Sequence, residues 1–260
     1  MATTKLDFIL DTLQDISSVS FGSFMVVHLT APISAFISAG EPTASSIQLL
    51  GRVWYQDSKT REILIVWGSL GVHIIVGIVK RITRVGRLRQ LRGDLERSAK
   101  ESEQVTEGTL SPSERRTLSK RSLYLRLREY MPRTWHALTA YITLPLLADH
   151  ILSHRLRPAT PVSYLFVSYH LQMKPILSSL KYSLLVSFAT FHTLVGFNQL
   201  WSKYRPGHSK KRRSIQASER SWTTGLGWLG VVSAVGLGVR SVSREPVPSW
   251  LARRYAAILG

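Results

Sequence analysis

"GSLGVHIIVGIVKR", residues 68–81, decides how the rest of the chain is read. It is an apolar run that stops at Lys80 and Arg81 and holds one ionisable ring, His73, near its middle. Extended back to Glu62, the run carries no charge between that glutamate and Lys80. A helix needs about 20 mostly apolar residues to cross about 30 Å of hydrocarbon. Uncharged stretches of this length are uncommon in soluble folds, so the segment predicts a membrane span. The pattern recurs in "FATFHTLVGFNQLW", residues 188–201. Both segments read His-x-x-Val-Gly, which puts Gly77 and Gly196 one turn after His73 and His192 on the same helix face.

Outward from this run, four more apolar blocks appear, at residues 17–39, 134–153, 182–201 and 222–239. The expected fold is all-α: a polytopic membrane helix bundle of about five spans, built as two tandem helical hairpins plus a fifth helix. The block at 134–153 contains Asp149 and His150, so it must face protein or lie near an interface if it spans. Most of the seven tryptophans lie near block ends, where interfacial aromatics belong. A repeat runs through the spans. "HLTAPISAF" (28–36) aligns with "YITLPLLAD" (141–149), matching Thr30 to Thr143 and Pro32 to Pro145, and the two His-x-x-Val-Gly motifs align in the same order. Both hairpins then share one orientation, a parallel repeat.

The charges lie between the blocks. The chain has 34 Lys and Arg against 16 Asp and Glu, a net charge of +18. Residues 80–133 carry 15 basic and 7 acidic residues, and residues 202–221 carry 7 basic residues and one Glu. With five spans these loops share one face and, with Lys5, hold two-thirds of the basic residues. The positive-inside tendency puts that face and the N-terminus in the cytosol and the C-terminus opposite. The expected organisation is a short cytosolic segment (1–16), a first hairpin (17–79), a basic, partly disordered loop (80–133), a second hairpin (134–201), a basic loop (202–221), and a fifth span with a C-terminal tail (222–260). In "SKKRRS", Lys210, Lys211, Arg212 and Arg213 are read as contacts for anionic lipid or a partner, not for nucleic acid. The absence of cysteine excludes disulfides, thiolate metal sites and cysteine nucleophiles. The first 19 residues set Lys5 against Asp7, Asp11 and Asp15, the pattern of neither a secretory signal nor a presequence.

His28, His73 and His192 fall at similar depth in their spans. One reading makes His73 and His192, with His28 nearby, axial ligands of a b-type haem, with Gly77 and Gly196 giving room for close approach. The plainer reading has each imidazole bonding a neighbouring helix. "DHILSHR" sets His150 and His154 on one helix face, and an interfacial polar cap fits it better than a metal pair. The glycines of "TGLGWLGVVSAVGLGV" suit a packing face of the fifth span. No nucleophile elbow, Walker loop or zinc signature is present in the sequence, and no enzyme activity is expected.

The segments "GRVWYQDSKTREILIVWGSLGVHIIVGIVKRI" and "VSYLFVSYHLQMKPILSSLKYSLLVSFATFHTLVGFNQLW" carry a family likeness across roughly residues 17–240. They resemble the fungal mitochondrial outer-membrane adapter family known as Mdm-ten-complementing proteins. The resemblance implies a multi-span outer-membrane protein acting in lipid homeostasis, and recruitment of a lipid-transfer protein to organelle contacts. A more distant likeness is to the membrane anchor subunits of succinate dehydrogenase and fumarate reductase, which hold haem b between helices. The family's recruiting element is a Pro-x-Pro motif in a cytosolic N-terminal tail. Here no proline precedes Pro32, and Pro246-Val247-Pro248 falls on the face opposite the long loops. The adapter role is then lost, moved to the basic loop, or missing because the tail is short.

Overall fold

The structure is a computed structural model that describes residues 5–38, 40–103, 132, 134–158, 162–205 and 215–259. Lys210, Lys211, Arg212 and Arg213, and the loop beyond Glu103, lie outside the described residues. The regular structure described is all helical: α1 (Lys5–Ser38), α2 (Glu41–Gln56), α3 (Lys59–Glu62), α4 (Ser69–Glu103), α5 (Trp135–Ile151), α6 (Leu165–Met173), α7 (Pro175–Tyr204), α8 (Ile215–Glu219), α9 (Trp222–Val242) and α10 (Ser249–Leu259). Two π-helical turns interrupt it, Ile63–Gly68 before α4 and Leu152–Leu156 after α5.

Among the described residues, four segments are long and apolar enough to cross a membrane: Lys5–Ile37, Lys59–Leu91, Pro175–Tyr204 and Trp222–Val242. Their large apolar side chains face outward, as lipid-facing residues do; Val26, Ile75, Ile176 and Phe197 are all exposed. The expected third span is α5, whose 17 residues fall short of the other four. The π turn carries the helix on to Leu156. Residues 135–156 together make a rod of about 33 Å at 1.5 Å per residue.

The chain divides into two units. The first pairs the start of α1 with α4 from Gly71 onward. Three rungs tie these helices. Arg87 Nη2 donates to Asp7 Oδ1 at 2.7 Å, Lys80 Nζ donates to Asp11 Oδ1 at 2.6 Å, and Gln14 Nε2 donates to His73 Nδ1 at 2.7 Å. The sequence reading began the first span at Ser17 because of the acids before it. The helix begins at Lys5, because Asp7 and Asp11 have cationic partners on α4.

The second unit holds the rest of α1, then α2, α3 and the first π turn, and everything from α5 onward. α5 runs the full length of this unit. At its N-terminal end Thr134 caps the helix by accepting from Ala137 N, and Glu219 accepts from His136 N at 2.6 Å. That end also joins α7 to α9 and α8: Asn198 donates to Thr224 Oγ1 and Gln199 donates to Ser218 Oγ. At the opposite end the two inter-span connections and the C-terminal tail build a cap. Arg52 donates to Val162 O at 2.8 Å, and Tyr164 N donates to Ser45 Oγ at 3.2 Å. Gln172 donates to the carbonyls of Ser243 and Glu245. Phe166, Tyr169, Leu251 and Tyr255 pack beneath these bonds. The Pro246-Val247-Pro248 motif is part of the cap: Val247 packs on that cluster, and Pro248 O accepts from Leu251 N and Ala252 N at the start of α10.

Glu62 lies at the same end, 14% exposed, and accepts from Arg155, Trp67 and Gln56. The opening of the second span is thereby joined to the close of the third. The repeat is legible too: Pro32 and Pro145 both sit inside helices. A proline there removes a backbone donor and bends the helix. α9 packs closely against α1 at Pro32. A Cβ on Gly238 would fall 1.8 Å from Pro32 O and 2.9 Å from its carbonyl carbon, whereas Gly236 opens onto free space.

Gly238→Ala is therefore expected to destabilise the chain by about 3 kcal/mol, at the upper end of overpacking penalties. Gly236→Ala is expected to be neutral or mildly stabilising, since alanine favours helix over glycine. Thermal unfolding in detergent compares the two.

Candidate functional site

The repeated histidines each clasp one hairpin. In the first unit His73 is held by Gln14, and a Cβ on Gly77 would lie 4.0 Å from Gln14 Oε1. In the second unit His192 Nδ1 donates to His136 O at 3.1 Å, and a Cβ on Gly196 would lie 3.8 Å from His136 Cε1. The His192 and His136 rings stack face to face, with centroids 4.0 Å apart and planes 3° from parallel. At that spacing nothing enters between them. Each motif thus pairs a ring with a polar residue on the preceding long helix, and the glycine one turn on leaves room for that residue. His73 and His192 belong to different units.

His28, the third expected ring, belongs to a larger cluster in the second unit. It stacks on Phe24 and meets His150 edge-on, with centroids 6.0 Å apart. His150 stacks on His154 at 4.3 Å. Beyond His154 a hydrogen-bonded chain continues through Tyr182 to His170. Donor bookkeeping gives it a direction. Ser153 Oγ–H donates to Asp149 O at 2.8 Å, so its oxygen accepts from His154 Nδ1–H. His154 Nε2 is then an acceptor, and Tyr182 Oη–H donates to it at 3.0 Å. Tyr182 Oη in turn accepts from His170 Nδ1–H at 3.1 Å. Every ring in this chain is bonded in its neutral form.

The electrostatics agree at the accessible end. His170, on α6, is held below the ordinary imidazole value, first by burial and then by the positive charge of Lys181. Nearby, burial pushes the Tyr164 phenol well above its usual range. The elements around the cluster explain its position. The π turn Leu152–Leu156 re-aims Ser153 and His154 at the end of α5, and Ser178 Oγ donates to His170 O at 2.9 Å to fix α6 against α7. The result is a cleft between α5, α6 and α7, with Lys181 Nζ and Asp149 Oδ2 paired at 3.0 Å beside it. No cluster of metal-ligating side chains is formed among the described residues.

Of this site the sequence reading named His28 and noted His150 and His154 as an i, i+4 pair. It missed His136, His170 and Tyr182. His170 lies on a short helix outside the apolar runs, and Tyr182 reads as an interfacial aromatic. The one available signal was that five of the eight histidines fall within the second hairpin. Arg155, expected to meet lipid phosphates, is held by Glu62.

All residues lining the cleft fall inside one region of likeness to known proteins. Residues 145–243 match the transmembrane domain of MDM10-complementing protein 1. The family resemblance is borne out over this segment. The match spans α5 from Pro145, the π turn, α6, α7, α8 and all of α9, ending at Ser243 where the tail enters the cap. No curated protein and no solved structure gives a significant match.

Tyr182→Phe removes the hydroxyl that joins two imidazoles. It is expected to cost about 1–3 kcal/mol, the penalty for leaving buried polar groups unpaired, measured by denaturant unfolding in micelles. A pH series tests the neutral chain. His170 is harder to protonate when folded, so the unfolded chain binds more protons below about pH 6.5. Its contribution is fully present above that pH and is lost as pH falls. His170→Gln is expected to make the acid-side loss of Tm shallower.

Proposed function

We propose that this chain is a multi-pass protein of the mitochondrial outer membrane that supports lipid homeostasis, as a scaffold or receptor for a lipid-transfer protein at organelle contacts. The observation that carries the reading is the match to the MDM10-complementing protein 1 transmembrane domain. It falls on helices of one folded unit, with long apolar spans and polar clasps between them. The reading assigns the bundle an anchoring and lipid-contacting role, with no catalytic step.

The basic loops supply the rest of the reading. α7 closes at the end of its unit opposite the cap, where residues 202–221 begin, and the Lys and Arg of residues 80–133 and 202–221 form clusters beside spans, which attract anionic headgroups. They are the surfaces on which a cytosolic partner is expected. The cap, which holds Pro246-Val247-Pro248, is then the face turned away from the cytosol.

Cell fractionation of the tagged full chain tests this. The chain is expected in carbonate-resistant mitochondrial membranes. In intact mitochondria a tag placed within residues 104–131 is expected to be cleaved by added protease, and a tag after Gly260 to be protected. Recovery in another membrane, or the reverse protection pattern, overturns the placement. Capture of the solubilised chain is expected to retain a lipid-transfer protein, and deletion of 104–131 to release it.

A further inference from the structure

The cleft beside the histidine–tyrosine chain has the chemistry of a lipid headgroup site. We propose that it takes the headgroup of an aminophospholipid of the phosphatidylethanolamine class, with the phosphate on Lys181 and the ammonium on Asp149. This rests on the membrane placement proposed above and adds to it a ligand.

Depth comes first. From Tyr182 to Ser202 α7 carries no charge, so Lys181 stands at the first polar level of a span. Headgroups occupy that level, just outside about 30 Å of hydrocarbon. Asp149 on α5 stands beside it, and Leu146 and Leu185 line the deeper side of the cleft. Leu177 and Leu180, also on α7, are 50% and 53% exposed. A lipid seated with its headgroup at the ion pair has apolar surface ready for its acyl chains.

The charges select the class. Lys181 and Asp149 are 38% and 53% exposed. An ion pair that exposed contributes only about 0–1 kcal/mol, so a ligand bringing both charges replaces it at little cost. The pair has no net charge, which favours a zwitterion over an anionic lipid. The walls are neutral: Ser178, Tyr182, His154 and His170 are tied into the hydrogen-bonded chain. His150 also lines the cleft, and its buried Nδ1 has no hydrogen-bond partner among the described residues. The Asp149 carboxylate asks for N–H donors. A primary ammonium supplies three, and a quaternary one supplies none. The π turn at Leu152–Leu156 points the same way, since such turns occur frequently at functional sites.

The test is equilibrium binding of acyl-labelled lipids to the purified full chain in micelles, read by fluorescence anisotropy. Phosphatidylethanolamine is expected to bind at least tenfold more tightly than phosphatidylcholine. Asp149→Asn and Lys181→Gln are each expected to weaken it about 10- to 100-fold, the size of a charge-assisted hydrogen bond, and Asp149→Asn to erase the preference over phosphatidylcholine. Equal binding of the two lipids by the wild type overturns the proposal. So does tighter binding of phosphatidylglycerol that Asp149→Asn strengthens, which would mark a bare phosphate site. Soluble O-phosphoethanolamine is expected to compete only at far higher concentration; competition at the lipid's own affinity would reassign the cleft to a free metabolite. If either variant unfolds, as circular dichroism would show, the wild-type lipid comparison decides alone. Failure of lipid discrimination leaves the fractionation result standing. A chain that discriminates but fractionates elsewhere keeps the site and loses the organelle.

Discussion

A polar side chain inside hydrocarbon has no water to bond, so it must find its partner on a neighbouring helix. The specific contacts of this chain follow from that requirement. Apolar packing alone does not choose between helix neighbours in lipid, because a leucine is as well solvated by acyl chains as by another leucine. The chain therefore relies on a few hydrogen bonds and close backbone approaches. Gln14 with His73, His136 with His192, Trp228 with Ser187 O, and Gly238 against Pro32 are the contacts that distinguish one packing from another.

The same requirement accounts for the repeated histidine. An imidazole both donates and accepts while neutral, so it bridges a helix gap without burying a charge. Placed one turn before a glycine, it meets a residue that the glycine leaves room for. The partner differs, an amide in the first hairpin and a backbone carbonyl with a stacked ring in the second, yet the geometry is the same. Conserving the device while changing the partner is what duplication of a hairpin would leave behind.

Much of the architecture was legible because hydrophobic length and charge placement are one-dimensional signals. The apolar block of residues 62–79 became part of a long spanning helix, and the Thr-x-Pro repeat became two prolines inside matched helices. The start of α1 was misread for a physical reason. Asp7 and Asp11 look like the polar end of a segment until Lys80 and Arg87, some 70 to 80 residues away, are placed against them. The candidate site was less legible for the same reason. Tyr182 and His170 gain their meaning only when α6 folds back on α7, and no spacing in the sequence encodes that contact. His150 and His154 were visible as a pair, but the π turn that sets Ser153 and His154 into the cleft is a backbone event with no motif.

The histidine–tyrosine chain also explains how so many ionisable groups are tolerated at one end of the bundle. The Tyr182 phenol bridges the two imidazoles, since it accepts from His170 and donates to His154 without a charge on any member. A fully apolar core would be cheaper to bury and easier to pack. Keeping the polar chain costs desolvation at each ring, and it leaves His150 Nδ1 unpaired where the chain meets the cleft. A fold that needed only stability at this end would have replaced His150 and His154 with leucines. The polar chain instead keeps the cleft wall neutral and rich in hydrogen-bonding groups at headgroup depth. The exposed ion pair beside it is then a charge pattern for a ligand to match.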